Sequence, residues 1–180
     1  MLEVKSFPIQ INTSNQVKLE EFKRYLGPNI VIQREDMKEP DADCITIVRY
    51  KASQFHNVLI DDTSLEIEGE DVGVNVKWLL QTLHQHIGKK AKFVSLLGIR
   101  KLDDFVYIFK GEVEGTIVLP RGKAYGFLHF FQPDGTNKTL AEELPDQFNA
   151  RYYAVRNFLN NVVFLKSEPL LEWTGVFQNQ

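Results

Sequence analysis

Two adjacent carboxylates, Asp61 and Asp62, stand in the most strand-like stretch of this 180-residue chain. Residues 58–60 ahead of them are apolar, and residues 65–68 behind them alternate between apolar and acidic side chains. Such alternation is typical of a half-buried strand. Successive strand residues point to opposite faces, but at a bend both can turn toward one cleft. The sequence therefore predicts a strand break at the pair, with both carboxylates facing a cleft.

The carboxylate pair has two interpretations. It can be a solvated Asp-Asp turn, because aspartate favours turns. It can also be a functional site, because buried charge without a partner is costly. A bound divalent cation or an activated water molecule would then explain why two carboxylates lie together.

The start of the chain has the pattern of a strand that leads into a helix. Residues 7–13 read as a strand, and the helix follows with an apolar stripe. We expect Thr13 or Ser14 to cap it, with Asn15 and Lys18 in its first turn. A helix N-terminus of this kind directs free backbone N–H groups at an anion such as phosphate. The alternative is an ordinary capped helix without a ligand.

A run of acidic residues precedes the next predicted helix, which spans residues 45–55 and carries Lys51. The acidic run forms a solvated loop unless the fold brings it beside Asp62, where it would line a cation site. Its members are Glu35, Asp36, Glu39, Asp41 and Asp43.

The second half of the chain favours antiparallel strands. Residues 93–118 predict two or three long strands, and residues 148–162 predict a final helix. The apolar tail, residues 170–177, is expected to pack against the body or against a second subunit. Strands and helices alternate in the first part of the chain, and hairpins follow. This order predicts one α/β domain over residues 1–180, built on a mixed sheet.

The composition argues against several classes of partner. The net charge is −3, so no basic field exists to attract nucleic acid. No apolar run approaches the length of about 18 residues that a membrane span needs. Cys44 is the single cysteine, so no internal disulfide can form. We expect a cytoplasmic protein.

Several motifs resemble those of the inosine triphosphate pyrophosphatase family. Residues 13–21 resemble its opening T-G-N-x-x-K-L-E-E, and residues 61–65 resemble its [ED]-D-[ST]-x-L. Residues 73–80 are similar to P-G-x-x-x-K-W-F-L. Further blocks fall in the family's order at residues 120–122, 131–135, 138–139 and 141–142. This collinear order from about residue 9 to residue 160 makes the resemblance specific.

The resemblance implies a fold and a reaction. The fold would be an elongated mixed sheet with flanking helices that forms two lobes around a central groove, usually in a homodimer. The reaction would be Mg²⁺-dependent hydrolysis of non-standard purine nucleoside triphosphates, such as ITP and XTP, to the monophosphate and pyrophosphate.

The resemblance also implies roles for individual residues. Asp62, Asp61 and Lys18 would be catalytic, and Asp62 would bind Mg²⁺. The family's other acidic metal ligand aligns with Thr46, so either Glu39 of the preceding loop supplies a second ligand or that ligand is missing. The implied substrate-binding residues are Thr13, Ser14, Asn15, Lys18, Lys51, Arg121, Tyr125, Gly126, Phe127 and Arg151. For the two aromatic rings in this set, stacking on a base and core packing are both open.

The chain departs from the family pattern at several positions. Ser14 replaces a glycine, Thr46 an acidic residue, Leu128 an aspartate and Ala150 a histidine. A site that loses groups that hydrogen-bond a base loses discrimination between bases. The resemblance therefore implies a divergent member with altered base preference. The alternative is a catalytically silent relative that binds a nucleotide or a partner protein.

Overall fold

A seven-stranded mixed sheet with helices on both faces organises the chain. The computed structural model describes residues 8–70, 79–124 and 126–178. Its strands are β1 (Ile9–Asn12), β2 (Ile30–Gln33), β3 (Val58–Ile67), β4 (Lys90–Arg100), β5 (Val106–Ile117), β6 (Phe131–Pro133) and β7 (Leu165–Ser167). The helices within these ranges are α1 (Gln16–Leu26), α2 (Cys44–Ser53) and α3 (Ala150–Leu159).

The strand order is β2-β1-β3-β4-β5-β6, and β7 pairs with β5 on the edge opposite β4. Strands β2, β1 and β3 run parallel, whereas every pairing from β3 onward is antiparallel. The predicted mixed α/β sheet is confirmed. The early alternation of strands and helices gives the parallel part, and the later hairpins give the antiparallel part.

The predicted strand break at Asp61 and Asp62 is wrong. Strand β3 continues through both residues, and its register to β4 is unbroken from Ile60 opposite Gly98 to Ile67 opposite Ala91. The long partner β4 supplies backbone hydrogen bonds along this whole stretch, so no bend is needed. The two carboxylates consequently point to opposite faces of the sheet.

Each face of the sheet has its own core. Leu59 packs with Phe22 of α1 and Val155 of α3. Ile60 packs with Val48 and Ala52 of α2 on the other face. By the two-residue period of a strand, Asp61 shares the α1 and α3 face, and Asp62 shares the α2 face.

Helix α1 is capped by Asn15, and not by Thr13 or Ser14 as the sequence predicted. The side-chain oxygen of Asn15 accepts hydrogen bonds from the N–H groups of Val17 and Lys18, at 3.0 and 3.1 Å. The Thr13 hydroxyl instead accepts the N–H of Asn15 itself. Two first-turn N–H groups are therefore already bonded within the chain, which weakens the expectation of a ready anion site there.

The C-terminal tail packs against the body of its own chain, which was one of the two predicted alternatives, the other being a second subunit.

The motif over residues 73–80 lies outside the described ranges, except for its last two residues. Within those ranges no helix is long and apolar enough to cross a membrane.

Candidate active site

The carboxylate pair lies where the parallel part of the sheet ends. Strand β1 pairs with β3 as far as Ile11 opposite Leu59, so Asp61 and Asp62 follow immediately beyond that contact. Lys18, in the first turn of α1, reaches this position from the turn that leaves β1. In α/β sheets ligands bind in the crevice outside the carboxyl ends of parallel strands. The location is therefore suitable for a substrate site.

Asp61 is buried and held by two cations. Lys18 Nζ lies 3.0 Å from Asp61 Oδ2, and Arg151 Nη2 lies 3.4 Å from the same oxygen. Burial opposes ionisation of Asp61, but the charges of Lys18 and Arg151 outweigh it and hold the pKa of this carboxyl below its ordinary value. Asp61 therefore remains a carboxylate at neutral pH. The structure thus places the Lys18 ammonium group directly against one of the two aspartates.

Arg151 has a second carboxylate partner that the sequence did not indicate. Glu21 Oε2 accepts from Arg151 Nη1 at 2.8 Å and from Asn149 Nδ2 at 2.7 Å. All three residues are buried. Glu21 lies three residues after Lys18, so both extend from one side of α1. Glu21 also ends the motif over residues 13–21, but neither that motif nor the spacing, which is equally common on a solvated helix face, indicated Arg151 as its partner.

Asp62 has a different environment on the α2 side of β3. The Cys44 thiol hydrogen-bonds its carboxylate, and Glu39 and Lys51 are close enough for their charges to affect it. Burial, reinforced by the negative charge of Glu39, raises the pKa of Asp62 to about 6, although Lys18 and Lys51 oppose this shift. A buried carboxyl group whose pKa is raised toward neutral pH is a candidate base or ligand.

Glu39 and Asp62 are the carboxylates that could take part in a cation site at this position, since the charge of Glu39 acts on Asp62. Lys51 Nζ lies 2.9 Å from Glu39 Oε1 and partly compensates its charge. Among the described residues no cluster of three or more His, Cys, Asp or Glu side chains could hold a metal. Mg²⁺, however, commonly takes one or two carboxylates, with substrate phosphates and water completing its shell. The two carboxylates meet that smaller requirement.

The remaining acidic residues of the loop are not all candidates for a cation site. Asp43 caps α2 by accepting the N–H of Thr46 at 2.7 Å. The N–H of Glu35 donates to Asn12 at the end of β1. The loop that carries Glu39 is therefore fixed at its start by the bond between Glu35 and Asn12, and at its end by the Asp43 cap.

The Ham1 family model matches residues 9–161. This chain belongs to the Ham1 family. A dITP/XTP pyrophosphatase of Bartonella quintana is 29% identical over 82% of this chain and 86% of the relative. An inosine triphosphate pyrophosphatase of Yarrowia lipolytica is 29% identical over 85% of this chain and 93% of that protein.

The fold is also shared with solved Ham1 structures. A Ham1 protein from Coxiella burnetii superposes with a TM-score of 0.63 and 18% identity, covering 87% of this chain and 98% of the other. The family resemblance inferred from the motifs and the mixed α/β fold are both confirmed. The likeness to this structure shows the fold alone, because the sequence identity is low.

Within this Ham1-family fold, the first set of expected substrate residues lies around the carboxylates. Thr13 and Asn15 form the capped turn ahead of α1, and Ser14 is exposed between them. Lys18 faces Asp61, and Lys51 faces Glu39. These residues come from the turn after β1, from α1 and from α2, on the two sides of β3.

Arg121 belongs to a different set of contacts. Its guanidinium donates to Glu142 Oε1 at 3.1 Å, to Gln132 Oε1 at 2.7 Å and to the Asn137 carbonyl at 2.9 Å. These bonds tie the turn after β5 to β6 and to the loop beyond it. A substrate role for Arg121 stays a prediction.

Phe127 is used in core packing. It is 6% exposed, and its ring centroid lies 5.3 Å from that of Phe93 and 6.3 Å from that of Phe131. Of the two interpretations of this ring, the structure favours packing over stacking on a base. Gly126 adopts a positive φ of 72°, which glycine accepts without strain. Tyr125 lies outside the described residues.

Proposed function

We propose that this Ham1-family chain hydrolyses nucleoside triphosphates to the monophosphate and pyrophosphate, with ITP, XTP and dITP as the preferred class. The names of the curated relatives support this substrate class. The observation that carries the proposal is the pairing of Lys18 with the buried, ionised Asp61, next to an Asp62 whose pKa burial raises to about 6.

In this reaction a water oxygen attacks the α-phosphorus. The bond from that phosphorus to the oxygen that bridges it to the β-phosphorus breaks, and pyrophosphate leaves. Asp62 either orients this water or binds the metal, and both roles need its ionised form. Lys18 and Lys51 supply positive charge for the phosphate oxygens. Asp61 holds the Lys18 ammonium in place. Mg²⁺ held by Asp62 and Glu39 would screen the phosphate charge that repels the nucleophile.

A second candidate function is nucleotide binding without hydrolysis. The candidate cations already have carboxylate partners within the chain: Lys18 with Asp61, Lys51 with Glu39 and Arg121 with Glu142. A triphosphate would have to share or displace these partners. A site arranged in this way can bind phosphate groups and still hold them out of line for attack.

The two candidates are separated by a panel of ITP, XTP, dITP, ATP and GTP with Mg²⁺, with separate detection of pyrophosphate and orthophosphate. We expect equal amounts of monophosphate and pyrophosphate, formed faster from the first three. Asp62→Asn should lower the rate by at least about 100-fold, the usual size of a lost base or ligand. The control Asp134→Asn, on an exposed residue that pairs with Lys90, should leave the rate unchanged.

Absence of pyrophosphate with every triphosphate would overturn the enzymatic proposal. A nucleotide-induced rise in melting temperature under the same conditions would then support the binding function. Asp62→Asn with full activity would instead show that hydrolysis uses other groups.

We further propose a homodimer, as the family resemblance implies, and a cytoplasmic location, as the composition led us to expect. The apolar tail no longer supports the dimer, because Phe177 packs against Tyr50 of its own chain. Light scattering coupled to size-exclusion chromatography tests the dimer, and a monomeric mass over the micromolar range would contradict it.

A further inference from the structure

The C-terminal segment, which we define as residues 168–178, returns to the site from outside the part of the chain that the family model matches. It first runs along α2. Arg49 Nε donates to the Glu168 carbonyl at 2.8 Å, and the N–H of Leu170 donates to Ser53 Oγ at 2.8 Å. The segment is therefore attached to the helix that presents Lys51.

The end of the segment then pairs with the loop that carries Glu39. The N–H of Gln178 donates to the Glu39 carbonyl at 2.9 Å, and the N–H of Asp41 donates to the Val176 carbonyl at 2.9 Å. Phe177 and Pro40 form the antiparallel bridge between these two bonds. The backbone of Glu39 itself is thus hydrogen-bonded to the C-terminal segment.

The Phe177 side chain anchors this pairing. Its ring packs edge-on against Tyr50 of α2 at 5.9 Å between centroids, and the Lys38 ammonium lies 5.8 Å from its centroid. Trp173 Nε1 donates to the Val176 carbonyl at 2.9 Å and holds the turn before it. One aromatic ring therefore joins the loop, the helix and the tail.

Besides this pairing, the hydrogen bonds that fix the backbone of the loop lie at its two ends, while within it the Glu39 side chain pairs with Lys51 and Met37 packs against the core. Asn12 holds Glu35 at the start, and Asp43 caps α2 at the end. Between them the chain forms no helix or strand beyond the bridge to Phe177. Fixing a backbone residue costs about 1–2 kcal/mol of conformational entropy, so a free loop would hold Glu39 poorly.

We propose that the C-terminal segment positions Glu39 as the second carboxylate of the metal site, with Phe177 and Gln178 as its positioning residues. Loss of this support releases the loop and lowers the affinity for the cation, without removing a ligand. The catalytic consequence rests on the proposed function, whereas the effect on metal binding and on the loop does not.

The test compares Phe177→Ala with Val176→Ala, whose exposed side chain leaves the backbone bonds in place. Mn²⁺ serves as the probe, and electron paramagnetic resonance measures its binding to the full chain. We expect Phe177→Ala to weaken Mn²⁺ binding by about tenfold, as loss of support to metal ligands commonly does. Phe177→Tyr should restore it, and Val176→Ala should stay within twofold of the wild type.

Amide hydrogen exchange provides a readout that does not depend on metal or activity. Exchange at residues 38–41 should rise in Phe177→Ala, while exchange in β4 and β5 stays unchanged. If the chain hydrolyses triphosphates, the Mg²⁺ concentration for half-maximal rate should rise while the rate at saturating Mg²⁺ is kept. A merely structural role would instead lower protection throughout the sheet.

Any of the following outcomes would overturn the inference. The first is wild-type Mn²⁺ affinity in Phe177→Ala, and the second is unchanged exchange at residues 38–41. The third is absence of Mn²⁺ binding to the wild type, or binding that survives Glu39→Gln. These results differ from failure of the proposed function, which appears as absence of pyrophosphate while Mn²⁺ binding and loop protection behave as expected.

Discussion

Asp61 and Asp62 are neighbours in the chain with opposite electrostatic environments. Two cations hold the pKa of Asp61 down, whereas burial and Glu39 raise the pKa of Asp62. The alternation of β3 produces this difference, because it turns the two carboxylates to faces with different neighbours. Carboxyl groups whose pKa values are pushed apart take separate roles in catalysis. Asp61 is suited to hold Lys18 in place, and Asp62 is suited to bind and release a proton or a metal ion.

The pKa of Asp62 predicts how activity depends on pH. At low Mg²⁺, kcat/KM should rise about tenfold per pH unit below pH 6 and level off above it, because the ionised form is required. A pH–rate profile between pH 4.5 and 8 measures this. A flat profile across pH 5–7 would contradict the role of Asp62.

The same group affects stability with the opposite sign. The pKa of Asp62 is higher in the folded state, at about 6, than the ordinary 3.8. Between these values the folded state binds more protons, so the contribution of Asp62 to stability falls as pH rises from about 4 to 6. Asp62→Asn should remove this part of the pH dependence in urea unfolding.

Glu21 should matter for stability through Arg151. Glu21→Gln leaves a buried guanidinium with one carboxylate fewer, and we expect a loss of about 2–4 kcal/mol in the free energy of unfolding. Glu20→Gln, on the exposed neighbour in the same helix, should change it by less than about 0.5 kcal/mol. Urea unfolding compares the two variants, and equal stabilities would show that the buried pair contributes nothing.

At the scale of elements, close packing of α3 on β5 places Arg151. A Cβ added to Gly111 of β5 would overlap the Ala150 carbonyl oxygen and the backbone of Ala154. Backbone atoms cannot rotate away, so only glycine permits this approach. The first turn of α3, and Arg151 with it, therefore comes within reach of Asp61.

Gly111→Ala should push α3 away from the sheet and lower the free energy of unfolding by about 3 kcal/mol, the upper range of overpacking effects. Gly135→Ala is the comparison, because its Cβ meets open space and only its positive φ of 92° causes strain. That strain costs about 1–2 kcal/mol. Urea unfolding measures both losses, and a smaller loss for Gly111→Ala would contradict the packing argument.

Sequence patterns located most helices and strands. They failed where one local pattern is compatible with several structures. The strand-like runs over residues 93–118 predicted long antiparallel strands. The Asp pair suggested a strand break. The cations that stabilise Asp61 inside the strand are distant in the sequence, so the residues around the pair do not indicate them. Thr13, Ser14 and Asn15 can all cap a helix. Only the folded turn shows that the Asn15 amide reaches two N–H groups.

At the scale of the whole molecule, the part of the site that lies near the family motifs was predictable. Lys18 and Asp61 both belong to motifs, and their contact follows from the pairing of β1 with β3. Glu21 with Arg151, and Glu39 with residues 176–178, meet across long stretches of chain. Such contacts depend on tertiary packing, for which the sequence has no local signal.

A site assembled from so many parts should couple ligand binding to global stability. A non-hydrolysable ITP analogue with Mg²⁺, at about 100 times its dissociation constant, should add about 2.7 kcal/mol and raise the melting temperature by about 5–10 °C. EDTA should remove the metal-dependent part of this shift. In Asp62→Asn, the metal-dependent part of the shift in melting temperature should be lost and the nucleotide-dependent part kept. Asp134→Asn should keep both parts of the shift. A shift that is identical with Mg²⁺ and with EDTA would contradict a metal site at Asp62, because a ligand stabilises the folded state only by binding to it.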